Sequence, residues 1–182
     1  MNCISFKQNI KDQIKEAQLK LGYAEETVRL YFPTASLNAI LETDEPDSQA
    51  MFSMLQTAFR SPDPELGQLH FSRAGGRIEV SIPPDGVRFV HEHVEDPPFL
   101  SDLIGLFTSR TNCSLEEIQA VFAKYDSRFI CRKMPEDADF DWCLHFPPGS
   151  TDSYYYCIKE EMGHTIYHRF IKADFDALMK QQ

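Results

Sequence analysis

The segment FVHEHVED (89–96) sets two imidazoles, His91 and His93, either side of Glu92 in a stretch rich in β-forming residues. On a strand, an HxH pair points both rings to one face, where neutral imidazoles can hold a divalent metal that activates water for hydrolysis. That chemistry needs further ligands from a neighbouring strand, and His70 and Glu79 are the candidates. Cys143, His145, Cys157 and His168 make a second set, suited by type to zinc or, as Cys157 with His168, to a nucleophile–base dyad. A third group, His145, Tyr154, Tyr156, Tyr167 and Arg169, has no strong nucleophile but carries the side chains that dominate binding energy at interfaces.

Other signatures are missing. The chain has no GxGxxG, GxxxxGK[ST], GxSxG or HExxH, and the AGG at 74–76 reads as a hairpin turn because no helix follows it. His164 and His168 would chelate on a helix, but the Thr, Ile, Tyr and Phe around them predict a strand, which separates them by about 13 Å. No cofactor is expected.

The 182 residues carry a net charge of −10, with Phe and Tyr supplying most of the bulky apolar area. Residues 41–65 and 135–182 each hold a net −5, whereas the first forty residues are near neutral. Such a chain is repelled by phosphate backbones and anionic lipid, so neither nucleic acid nor membrane is expected as partner, and a protein partner should be basic. The five cysteines are odd in number and lack CxxC spacing, and charge begins at Lys7, too early for a signal peptide. These features predict a cytoplasmic protein with free thiols.

The elements that must position these residues follow from periodicity. Phe6, Ile10, Ile14, Ala17 and Leu21 predict a helix over about 4–21, with Lys7, Lys11 and Lys15 in a row on its outer side. VRLYFP (28–33) is β-like, Thr34 and Asp47 start two further helices, and SPDPELG (61–67) reads as a linker. QLHFSRA, RIEVSI and VRFVHEHV predict a three-stranded antiparallel meander. Helices follow from the prolines at 97–98 and from the Ser114/Glu117 capping box. RFICRKM, FDWCLHF, SYYYCIK and HTIYHRFI then form a four-stranded antiparallel sheet, closed by a C-terminal helix, ADFDALM. The class is α+β with about six helices, in a single domain over 1–182. Its substructure would be a helical part at 1–66, the first meander at 67–96, and helices plus the second sheet at 97–182.

Turn lengths decide which side chains meet. A two-residue turn at Gly75-Gly76 puts Phe71 opposite Val80. If PPDG (83–86) is a four-residue loop, His91 and His93 lie on the buried face or at its end. If it is a three-residue loop with a glycine bulge, His91, His93, Glu79 and His70 share a polar face. The second register exposes Val87 and Phe89 and forfeits roughly 3–5 kcal/mol of burial. In the second sheet, a turn at Met162-Gly163 pairs Cys157 with His168, Tyr156 with Arg169 and Ile158 with Tyr167. A six-residue PPGSTD loop would set Trp142 opposite Cys157 and Cys143 opposite Tyr156. That register puts Trp142, Leu144, Tyr155, Cys157 and His168 on a core face. It leaves Cys143, His145, Tyr154, Tyr156, Tyr167 and Arg169 on the other, so the Cys/His zinc set would be split between faces.

IKEAQLKLGYAEETVRLYFPTASLNAIL (14–41) and YYYCIKEEMGHTIYHRFIKADFDAL (154–178) resemble a family of bacterial proteins known as a domain of unknown function, nearly end to end. The resemblance implies a bacterial cytoplasmic protein forming one unit, and it implies no activity. Together these readings favour a non-catalytic binding module using His145, Tyr154, Tyr156, Tyr167 and Arg169. The alternative is a small metal-dependent hydrolase centred on His91, His93 and Glu79.

Overall fold

Phe6, Ile10 and Ile14 line the inner side of α1 (Cys3–Leu21), as their spacing predicts; in the computed structural model, which describes residues 1–180, none is more than 1% exposed. The stripe ends there, since Leu21 at the last turn is largely exposed. The chain divides into two compact units, Met1–Asp96 and Pro97–Gln182. The described residues form seven helices and two antiparallel sheets of three and four strands. The expected α+β order of helices, sheet, helices, sheet and helix is observed.

In the first unit, β1 (Val28–Phe32), α2 (Thr34–Leu41) and α3 (Ser48–Ala58) precede β2 (His70–Ala74), β3 (Arg77–Ile82) and α4 (Pro84–His93). The Gly75-Gly76 turn has positive φ at both residues, the geometry a tight hairpin demands, and Phe71 pairs with Val80 as expected. The third strand is a correction. It is β1, which pairs with β3 through Val28↔Ile82 and Phe32↔Ile78, so the sheet runs β1-β3-β2 and VRFVHEHV is not part of it. Ile78, Val80 and Ile82 point into the core, where Phe6 packs on Phe32 and Phe59 at 5.7 and 5.4 Å.

Residues 84–93 form a helix because the 3.6-residue period wins over alternation. Gly86, Val87 and Val90 make its buried face, Pro84 lies in the first turn where its missing N–H is harmless, and Arg88 pairs with Asp85. The loop at 61–67 is also not a linker. Leu66 is fully buried, and Asp63 and Gly67 exchange backbone hydrogen bonds of 2.9 Å. Two lysines of the row hold this loop: Lys7 donates to Asp63 at 3.0 Å and Lys11 to Glu65, while Lys15, itself buried, pairs with Asp96 at 3.0 Å. The row expected on the outer side of the helix is therefore paired with acids of the same unit.

Burial works against the Asp63 carboxylate, but the Glu65 and Leu66 N–H groups and Lys7 outweigh it and hold its pKa below the ordinary value. A depressed carboxylate contributes stability above its unfolded-state pKa of about 3.9, and that contribution is lost as pH falls through the lower folded-state value. Asp63→Asn is expected to lose roughly 2 kcal/mol at pH 7. In urea unfolding repeated at falling pH, the mutant and wild-type midpoints should converge below about pH 4. Parallel curves at all pH values would remove Asp63 from the acid response.

The second unit contains α5 (Pro98–Ser109), α6 (Leu115–Tyr125), strands β4 (Ile130–Lys133), β5 (Trp142–His145), β6 (Tyr155–Glu161) and β7 (His164–Phe170), and α7 (Lys172–Lys180). The strands pair in sequence order, and the Ser114/Glu117 capping box forms as expected. Helices cover both faces. On one, Phe99 meets Phe122, Phe146 and Tyr156 edge-on at 4.8, 4.8 and 5.4 Å. On the other, Phe175 of α7 closes a core with Met134, Cys143 and Cys157.

Candidate functional site

The hydrolase centre does not assemble. On a helix, residues two apart point about 200° from one another, so His91 and His93 diverge. His91 stacks on Tyr23 with ring centroids 4.1 Å apart, and His93 stacks on Phe89 at 4.7 Å. Glu79 stays in β3, where it accepts a hydrogen bond from Ser81 at 3.1 Å and lies 3.9 Å from Arg29, and His70 stands opposite Ser81. The metal alternative required all four on one strand face, and α4 removes two of them.

The tyrosine face exists, but its centre is buried. The pairing of Tyr156 with Arg169 and Ile158 with Tyr167 is as expected. However, α5 and α6 cover this side, and Tyr156 is 0% exposed between Phe99 and Phe122. Its hydroxyl donates to Asp152 at 2.7 Å. The Arg169 guanidinium stacks over the Tyr154 ring at 3.5 Å and lies 3.6 Å from the same carboxylate, with side-chain exposures of 7% and 11%. Tyr167 packs against Phe107 at 5.1 Å. Tyr156 and the Arg169 side chain thus lie in an interior network, with Tyr154 and Tyr167 half-buried beside them.

His145 belongs to the other side. Nine residues separate β5 from β6, giving Cys143↔Cys157 and His145↔Tyr155, one residue away from the expected register. A one-residue slip inverts every side chain of β5 relative to β6. Cys143, His145, Cys157 and His168 therefore share a face after all, contrary to expectation. They still make no metal site: His145 stacks on Tyr155 at 4.3 Å, and His168 packs against Phe140 and Phe170. Among the described residues, no three metal-ligating side chains are grouped. The Cys157–His168 dyad fails electrostatically, because a hydrogen bond with Cys143 and burial both push the Cys157 thiol up.

The same slip turns Trp142 to the opposite side, where it lines a cleft of about 700 Å³. The walls come from the start of α6 (Ser114, Leu115, Glu117, Ile118), the preceding loop (Asn112, Cys113), and Lys133, Asp141, Trp142, Ile158, Glu160 and Thr165 around the sheet. Thr165 ties the loop to β7: its Oγ1 accepts from the Cys113 N–H at 2.9 Å, and its N–H donates to the Thr111 carbonyl at 3.0 Å. Glu117 is occupied by the Ser114 N–H at 2.9 Å and by Arg110. Asp141 accepts from the Glu160 backbone N–H at 2.8 Å; Asp141 and Glu160 join Glu117 as the carboxylate residues of the lining, with Lys133 as its cation. A neighbouring cleft of similar size, running from Phe107 to Asn112 and along His164 to Ile166, has no carboxylate in its walls.

A family model described as "Domain of unknown function, E. rectale Gene description (DUF3877)" matches residues 3–179. The chain belongs to this family. Neither a curated protein nor a solved structure matches it. For this DUF3877 member, no helix among the described residues is long and apolar enough to cross a membrane. The cleft escaped sequence analysis because the β5–β6 loop is irregular and its length was read one register out. The signal available was the single tryptophan, placed directly after Asp141 at the start of a strand.

Proposed function

We propose that the protein is a non-catalytic binding module of the bacterial cytosol that seats a lysine or arginine side chain of a basic partner protein in the Trp142 cleft. The observation that carries this reading is the cleft's composition: Trp142, Asp141 and Glu160 share the lining of a concavity of about 700 Å³. An aromatic face attracts an ammonium or guanidinium by about 0.5–2 kcal/mol, and adjacent carboxylates add charge-assisted hydrogen bonds. The volume is in the range of small-ligand pockets. A net charge of −10 steers basic partners toward the molecule, and five free cysteines suit a reducing compartment.

Trp142 is the chain's single tryptophan, so intrinsic fluorescence reports directly on occupancy of the cleft. Titration with arginine-rich and lysine-rich peptides should give a saturable change that weakens with added salt, while a glutamate-rich peptide gives none. Glu160→Lys should weaken binding at least about tenfold, equivalent to about 1.4 kcal/mol, and Lys133→Glu should tighten it. No response to any basic peptide, or equal affinity in the two charge-reversal variants, would exclude this function.

A further inference from the structure

We propose that Cys143 and Cys157 form a reversible dithiol–disulfide pair that reacts with small hydroperoxides, Cys143 attacking and Cys157 resolving. The two residues stand directly opposite each other on β5 and β6, and both are 0% exposed. The Met134 N–H donates to the Asp141 carbonyl at 2.9 Å, just beyond the Lys133↔Trp142 pair, which makes that pair non-hydrogen-bonded. By alternation, the peptide groups of Cys143 face β4, and Cys143↔Cys157 is non-hydrogen-bonded toward β6. Such pairs bring Cα atoms to about 4.5 Å, inside the disulfide range of about 4.4–6.8 Å. Cross-linking therefore requires no strand movement.

The row across the sheet also separates the roles of the two sulfurs. Arg132 stands opposite Cys143 on β4, and its guanidinium lies 4.7 Å from the Phe175 ring that covers the pair. A hydrogen bond from Cys157 and the Arg132 charge draw the Cys143 thiol down against its burial, whereas Cys157 is pushed up. Lower thiolate cost marks the attacking sulfur. Cys131, opposite Leu144, is on the other face, so no further cysteine shares this side of the four strands.

In the first step the Cys143 thiolate attacks one peroxide oxygen. The S–O bond forms, the O–O bond breaks, and the leaving oxygen takes up a proton as alcohol or water. Cys157 then attacks the Cys143 sulfenic sulfur; the S–S bond forms and water leaves with the Cys157 proton. Two sulfurs lose one electron each, and the peroxide gains both. Access runs through α7, a nine-residue helix with Phe175 as its one fully buried side chain, held between Tyr155 at 4.7 Å and Arg132. A helix of this length has little stability of its own, so it opens at less cost than the unit unfolds.

The test is peptide mapping of the full chain after hydrogen peroxide treatment under native conditions. The expected product is a Cys143–Cys157 cross-link, with loss of two hydrogens from the intact mass, reversed by dithiothreitol. Arg132→Gln should slow cross-linking about tenfold, and Arg132→Lys should restore most of the rate. The proposal fails if Cys143 and Cys157 stay reduced while Cys3, Cys113 or Cys131 oxidises, if the link appears only in denaturant, or if either thiol goes to sulfinic acid unlinked. A wild-type rate in Arg132→Gln would overturn the assignment of Cys143 as the activated partner.

Discussion

Replacing Asp152 with alanine is expected to destabilise the second unit by about 3 kcal/mol, since it takes a carboxylate away from a buried guanidinium and a buried hydroxyl at once. The carboxylate is a hub: it faces the Arg169 guanidinium at 3.6 Å, takes the Tyr156 hydroxyl at 2.7 Å and the Tyr154 N–H at 2.6 Å. Removing it takes the 2.7 Å acceptor from the Tyr156 hydroxyl, whose ring packs between Phe99 and Phe122, and a carboxylate from the Arg169 guanidinium. Tyr156→Phe, which removes the hydroxyl but keeps the ring, should cost only about 1 kcal/mol. Urea unfolding followed by Trp142 fluorescence isolates this unit. If Asp152→Ala loses no more than Tyr156→Phe, the network is not what holds the aromatic side of the sheet together.

Gly86→Ala is expected to destabilise the first unit by about 3 kcal/mol, although in an exposed helix the same change stabilises by up to about 1 kcal/mol. A Cβ at position 86 would lie 2.3 Å from the Leu66 carbonyl oxygen and 2.7 Å from its carbon. Those are backbone atoms of a loop fastened by Asp63 and Lys7, so relief requires shifting α4 or the loop. Gly105→Ala in α5 is the control, because nothing lies within 4 Å of its added carbon. It should gain about 0.5–1 kcal/mol by propensity. Far-UV circular dichroism during thermal unfolding of both variants gives the comparison; equal shifts of the same sign would mean the loop yields to α4 without strain.

How far the fold could be read from the sequence depended on whether its signals were local. The helix stripe of Phe6, Ile10 and Ile14, the capping box at Ser114 and the Met162-Gly163 hairpin were legible, since each is set by residues a few positions apart. Residues 84–93 were misread because VRFVHEHV satisfies two periods at once. Alternation selects Val87, Phe89, His91 and His93, whereas the helical period selects Val87 and Val90. Only β1, arriving from far upstream to occupy the free edge of β3, settles the choice. The candidate site failed for a smaller reason. One residue in the loop before Tyr155 inverted β5, sending Trp142 to one side of the sheet and Cys143 to the other. Burial of the tyrosine face was not readable at all, because it depends on where α5 and α6 pack, and no strand pattern encodes that.

The pairing of β1 with β3 also separates the two sheets in time. In the β4-β5-β6-β7 meander each strand meets its partner within a short stretch of chain, so closure entropy is small. The β1 strand must wait until position 82 has been synthesised before its full ladder can form, and meanwhile Val28–Phe32 exposes an unpaired edge. On the ribosome, β1 is therefore left longer without its neighbour than any strand of the second sheet, and a nascent chain arrested between 33 and 77 is the species most open to mispairing.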